Sequence, residues 1–208
     1  MLDVLKEKFG FSRFNEGQQE VIDCLLKGES AAAIFPTGKG KSLCYQLPAT
    51  QLPHLTLVVS PLLSLIQDQL SFLKSKNIAA ARIDSTLERD EENRIMEAIR
   101  NQKIKVLMIS VERFKNERFR TFLSTVKISL MVVDEAHCIS EWGHNFRPDY
   151  LKLPRYQSEF NISQVLLLTA TATPRVAKDM QDKFNIPASN IISTGFYRSN
   201  LHIYIRPV

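Results

Sequence analysis

Residues 31–42 read Ala31-Ala32-Ala33-Ile34-Phe35-Pro36-Thr37-Gly38-Lys39-Gly40-Lys41-Ser42, and this stretch decides the fold class. Five apolar residues ahead of Pro36 predict a short buried strand over 31–35, and a helical segment follows over about 41–50. The glycines between them let the chain turn back on itself. A strand, a glycine loop and a helix in that order make a phosphate cradle. Backbone N–H groups wrap the anion, the helix N-terminus adds partial positive charge, Lys41 reaches the terminal phosphates, and the Ser42 hydroxyl is placed to ligate Mg²⁺. The full G-x-x-x-x-G-K-[ST] pattern would put glycine at 35. Phe35 stands there, so the match is to a variant loop, P-T-G-x-G-K-S.

Working outward, such a loop needs an acid at a neighbouring strand end to hold the metal. Asp134-Glu135-Ala136-His137 follows the apolar run 128–133 and supplies it, with Glu135 beside Asp134 to orient or deprotonate an attacking water. Further β-branched runs predict strands at 55–60, 79–83, 105–110 and 164–168, with a weaker one at 190–193. Segments of helical period predict helices at about 16–27, 62–76, 88–101, 115–125 and 174–184, Gly28 ending the first. Pro61 and Pro174 fall in first helical turns, where a missing N–H is tolerated. The alternation predicts an α/β fold of three layers: a mostly parallel central sheet with helices on both faces. No repeat or flexible linker divides it. At the end of the chain Leu201, Ile203 and Ile205 alternate with His202, Tyr204 and Arg206 as a half-buried strand does.

Composition fits a folded domain: 208 residues, 44% hydrophobic, 24% charged, enough chain to bury a substantial core and too apolar for disorder. No apolar run reaches the length of a membrane span and the N-terminus does not read as a signal peptide, so a cytoplasmic chain with no membrane partner is expected. Cys24, Cys44 and Cys138 are odd in number and widely spaced, which reads as free buried thiols. His137, Cys138 and His144 lack a fourth metal ligand. The net charge of +5 is local. Lys103, Lys105, Arg113, Lys115, Arg118, Arg120 and Lys127 face only Glu112 and Glu117 within 102–127, and this stretch is either a solvated helix face or a phosphate-binding patch.

Taken together, these motifs resemble the first motor lobe of RecQ-type DNA helicases, members of helicase superfamily two. The resemblance covers nearly the whole chain: residues 1–200 as a RecA-like P-loop lobe, 201–208 as the start of a connection to a second lobe. Leu5, Phe9, Gly10, Phe14 and Gln18 fit the family's adenine motif, with Asn15 in place of a basic residue. FPTGKGKSLCYQLPA fits its nucleotide loop, with Lys39 where glycine is usual. VVSPLLSLIQDQ at 58–69 is similar to a motif gripping single-stranded DNA, and Ser110-Val111-Glu112-Arg113 to S-P-E-R. CISEWGHNFRPDY at 138–150 is similar to the family's aromatic-rich loop, Thr169–Thr173 to its third motif, and Phe196–Leu201 to F-x-R-x-N-L. From the residues alone, Trp142, Phe146 and Tyr150 at i, i+4 and i+8 also suit one buried helix face. Against this, Gly143 and Pro148 interrupt a helix and Arg147 sits among the rings, as base stacking requires.

The resemblance implies ATP and Mg²⁺ as cofactors, single-stranded and duplex DNA as partners, 3′-to-5′ movement, and a role in repair or recombination. It implies catalytic Lys41, Asp134, Glu135 and His137, nucleotide contacts from Phe14, Gln18, Thr37, Gly38, Lys39, Gly40, Lys41 and Ser42, metal on Ser42 and Asp134, and DNA contacts from Ser60, Pro61, Gln69, Arg113, Trp142, Phe146 and Arg147. It also implies a second lobe carrying arginine fingers, without which turnover is slow. Two other classes remain: a P-loop ATPase acting on something other than nucleic acid, and a non-catalytic nucleic-acid-binding module.

Overall fold

The computed structural model describes residues 1–61, 63–143 and 145–195. His144, the Phe196–Leu201 motif and the alternating strand near 201–205 lie outside these residues. Among the described residues seven strands form one sheet: β1 (Ala31–Ile34), β2 (Leu55–Val59), β3 (Ala80–Ile83), β4 (Val106–Ile109), β5 (Ile128–Val133), β6 (Val165–Thr169) and β7 (Ile191–Ser193). Their order is β3-β4-β2-β5-β6-β1-β7, and every pairing is parallel.

Strands buried on both faces read as unbroken apolar runs, and successive residues divide between two cores. Leu57, Val59, Leu107, Ile109, Met131, Val133, Val165 and Leu167 join one core with Met96, Phe119, Tyr156 and Met180. Val58, Val106, Met108, Leu130, Val132, Leu166 and Leu168 join the other with Leu5, Ile22, Leu47 and Leu73. The second core is therefore covered by α1 (Leu2–Val4) and the wide turn Leu5–Phe9 that continues it, with α2 (Gln18–Leu26), α3 (Leu43–Gln51) and α4 (Leu63–Ser75). The first is covered by α5 (Arg89–Arg100), α6 (Glu117–Leu123), α7 (Leu153–Glu159) and α8 (Pro174–Phe184). Phe114 ties this layer together, stacked on Tyr156 at 4.3 Å between ring centroids.

Departures from the expected elements are short. The Leu2–Phe9 segment and α7 carry no long helical period, yet each buries aromatic or leucine side chains. The helix expected at 115–125 is two pieces. A short 3₁₀ turn, Val111–Lys115, gives way to α6 at Asn116, whose side chain accepts the Phe119 N–H at 2.9 Å. At α8, Pro174 takes the first position and Thr173 caps it by accepting from Val176 N.

Candidate nucleotide and nucleic-acid site

The order β2-β5-β6-β1 sets the carboxyl ends of four strands side by side, the place where open parallel sheets put their sites. Phe35 N–H extends β1 onto Thr169 O (3.1 Å), and the chain then turns through Gly38 (φ 87°) and Gly40 (φ 74°). Gln18, buried at the head of α2, fastens this turn: its Nε2 donates to Gly40 O (2.9 Å) and Lys39 O (3.3 Å) while its Oε1 accepts Asn15 N–H (2.8 Å). Its positive φ favours glycine at residue 40, and a Cβ there would meet Gln18 Nε2 at 2.6 Å and so displace the amide that fastens the turn. Asn15 Nδ2 also donates to Lys39 O, and Phe14 packs half-buried beneath. Lys41 Nζ donates to Phe35 O at 3.0 Å.

Gln69 and Ser60, expected at a DNA surface, turn their side chains inward instead. Gln69 Oε1 accepts from Tyr45 OH (3.1 Å) and Gln46 Nε2 (2.6 Å), which leaves its amide N–H to donate to Ser42 Oγ (2.9 Å). Buried Ser60 donates its hydroxyl to Asp134 Oδ2 (3.2 Å). The reason is geometric: Ser60 follows the end of β2 beside Asp134, and Gln69, midway along α4, faces the start of α3. Tyr45 and Gln46 fall within the quoted nucleotide-loop motif, which assigns them no role.

Asp134 N–H donates to Val59 O, and Glu135 follows in a left-handed turn (φ 50°) with its N–H on Asp134 Oδ1 (3.0 Å). Burial first, and then the Glu135 charge, push the Asp134 carboxyl above the usual carboxylate range. Ser42, Ser60, Gln69 and Asp134 line one small cavity. Its donors are oxygens around a buried carboxylate, a set that suits a hard cation such as Mg²⁺.

His137 Nδ1 lies 2.9 Å from Thr169 Oγ1 and 3.3 Å from Glu135 Oε2. The Thr169 hydroxyl donates to Thr171 O, so its oxygen accepts the His137 Nδ1 proton. The Cys138 and Glu135 side chains together raise the imidazole to about 9, against the opposing effect of burial. The end of β5 is thereby tied to the turn between β6 and α8.

Trp142, Phe146 and Tyr150 share no helix face. Trp142 is 59% exposed, Phe146 is half-buried, and Tyr150 is fully buried with its hydroxyl on Asp134 O. Gly143 lets the loop close against the backbone, since a Cβ there would meet His137 O at 2.4 Å. Thr37, Pro61, Glu135, His137, Phe146, Arg147, Ala170 and Thr171 then line one open cleft of about 450 Å³. Residues expected to meet nucleotide and residues expected to meet DNA share its walls.

Much of the basic stretch is engaged by partners from other elements. Arg113 is largely buried, pairs with Glu92 and lies over the Phe119 ring. Lys115 pairs with Asp149, Arg120 with Glu159, and Arg118 bonds Asn93. Lys105 donates to two backbone carbonyls. Acids distant in sequence pair with three of the seven bases, and Arg113, expected to contact DNA, directs its guanidinium to Glu92 and Phe119. The thiols divide as well: Cys44 and Cys138 are buried, Cys24 only partly.

The sequence profile of DEAD/DEAH box helicases matches residues 15–180. The chain belongs to the DEAD/DEAH box helicases. It is 46% identical over 179 residues to the probable ATP-dependent DNA helicase RecS of Bacillus subtilis (strain 168), covering 86% of this chain and 36% of that protein. It is 39% identical over 200 residues to the ATP-dependent DNA helicase RecQ of Pasteurella multocida, covering 96% of this chain and 32% of that one. The chain thus spans about a third of the length of these relatives. The fold matches a hypothetical ATP-dependent RNA helicase from Sulfolobus tokodaii with TM-score 0.67 at 21% identity, covering 93% of this chain and 56% of that one. It matches the DUF1998 helicase MrfA bound to DNA with TM-score 0.73 at 18% identity, covering 92% and 28%. As in these helicases, the sheet is an α/β lobe. Among the described residues no helix is long and apolar enough to cross a membrane.

Proposed function

We propose that this chain is the ATP-binding first lobe of a DNA helicase motor, in which Mg-ATP hydrolysis drives movement along one DNA strand in the 3′-to-5′ direction. One observation carries the reading: a single cleft lined by Thr37, Glu135 and His137 together with Phe146 and Arg147. Phosphoryl transfer is a matter of positioning and charge stabilisation. Lys41 and the 37–40 backbone hold the phosphates, Glu135 orients water, and Phe14 with Gln18 meets the base. Ser42 and Asp134 hold Mg²⁺, which when bound neutralises charge developing on the transferred group. His137 passes the state of Glu135 to Thr169 and so to the β6–α8 turn. Pro61, Trp142, Phe146 and Arg147 face DNA, where stacking and backbone contact carry no sequence information. Binding is accordingly sequence-tolerant and salt-sensitive. The names of the relatives above support DNA as the track. A role in repair or recombination, in the cytoplasm, accords with it.

Full turnover needs an arginine finger from a second lobe, worth about 10³ to 10⁵ in rate in other P-loop enzymes. Measuring ATP hydrolysis with and without single-stranded DNA tests this, for the 208-residue chain and for the chain joined to a second lobe. The chain alone should turn over slowly and respond weakly to DNA, the joined form should be faster by about 10³ or more, and Lys41→Ala should abolish both. Rapid DNA-stimulated turnover by the chain alone would overturn the two-lobe reading.

A further inference from the structure

The loop that carries Trp142 is fastened to α8. Ser140, fully buried, donates its hydroxyl to Asp179 Oδ2 at 2.6 Å and accepts Trp142 N–H at 3.2 Å. Arg175, one turn of helix from Asp179, lays its guanidinium carbon 3.4 Å from the centroid of the Trp142 ring, the distance of flat stacking. Yet Trp142 remains 59% exposed, more than any other large apolar side chain among the described residues. One ring face is therefore covered by the guanidinium and the rest of the ring stands open. Arg175 is also in an electrostatically poor place. It is the second residue of α8, whose first turn holds no acid, and a cation there opposes the helix dipole. A stacked ring is a reason for it to stand there.

We propose that Arg175 is a positioning residue for DNA: by backing one face of Trp142 it holds the indole in place and presents the opposite face as a platform for one unpaired base. The proposal rests on the DNA-facing reading of the aromatic loop and adds to it a named support from another element. A planar guanidinium suits this task where an ammonium does not, because only the former covers the ring. Ordering a ring before the base arrives removes part of the entropic cost of stacking. The base itself is unspecified, since every base has a π-face.

Trp142 is the sole tryptophan, so its fluorescence reads the platform directly. The test compares wild type, Arg175→Ala, Arg175→Lys and Trp142→Ala. It measures acrylamide quenching of the free chain and anisotropy of a fluorescein-labelled oligo-dT across a salt series. Arg175→Ala should raise acrylamide accessibility and weaken oligonucleotide binding about two- to fivefold, leaving the slope of log affinity against log salt unchanged, and Arg175→Lys should behave like alanine. A slope smaller by about one, restored by lysine, would make Arg175 a phosphate contact and overturn the proposal. Tighter binding by Arg175→Ala would make it an obstruction and would equally overturn it. If Trp142→Ala weakens binding and Arg175→Ala does not, the proposal alone falls. If Trp142→Ala costs nothing, the DNA-facing reading falls first and takes the proposal with it.

Discussion

His137 shows how much one side chain holds at the centre of this site. Its Nδ1 proton is shared between Thr169 Oγ1 and Glu135 Oε2, and the pKa is raised from 6.5 to about 9 by the Cys138 and Glu135 side chains. A basic group whose folded pKa lies above its unfolded value stabilises the fold fully below the unfolded value. That contribution is lost as pH rises through the folded one. Stability of this chain should therefore fall between about pH 6.5 and pH 9, as measured by denaturant midpoints across that range. Glu135→Gln, which removes the carboxylate charge, should lower the His137 titration point seen by proton NMR and narrow the window. At this scale the sequence was informative about identity and silent about direction. Lys41, Asp134 and Glu135 stand out by their motif positions, and the structure sets Asp134 and Glu135 together at the end of β5. Gln69 and Ser60 stood in a motif read as DNA-binding, and only the packing of α4 and the end of β2 against the loop shows their polar atoms turned toward Ser42 and Asp134.

Among the elements, the contact between α5 and the turn before α6 depends on a pair that sequence order concealed. Glu92 and Arg113 are 21 residues apart, both side chains are about nine-tenths buried, and they pair while the guanidinium also lies over Phe119. Removing one partner of such a pair leaves the other charge without compensation. Arg113→Ala should cost about 3 kcal/mol, a fall in Tm of roughly 6 to 12 °C for a chain of this size, and Glu92→Gln in the same background should recover part of it. Thermal unfolding of wild type, Arg113→Ala and the double variant checks this. The strands were legible to within a residue at each end, because strands covered on both faces must be apolar throughout and Pro or Gly punctuates them. The Leu2–Phe9 segment, α7 and the 3₁₀ turns were not legible. At two turns or fewer, hydrophobic period has no room to repeat, and tertiary packing decides the conformation. The local charge surplus misled for a related reason, since neutralising partners such as Asp149 and Glu159 come from other elements.

For the whole molecule, the alternation of strand and helix revealed three layers, and the motif order revealed which strand ends meet. Neither disclosed the strand order itself, and that order bears on how the chain comes to be folded. β1 and β2, consecutive along the chain, are not neighbours: β5 and β6 lie between them. Helices α1–α4 all cover the same face of the sheet, so the first 75 residues carry an entire helical layer with no sheet to lay it on. A stretch of chain ending there holds two strands that cannot pair as in the native sheet and a set of apolar helix faces awaiting residues 128–169. Parallel sheets closed by distant partners form slowly and expose such faces meanwhile. A fragment ending at Lys76 should show no cooperative unfolding by circular dichroism and should bind a hydrophobic dye. The phosphate loop, fastened locally by Gln18, thus also waits on β6, far along the chain, for the partner of Phe35 N–H at Thr169.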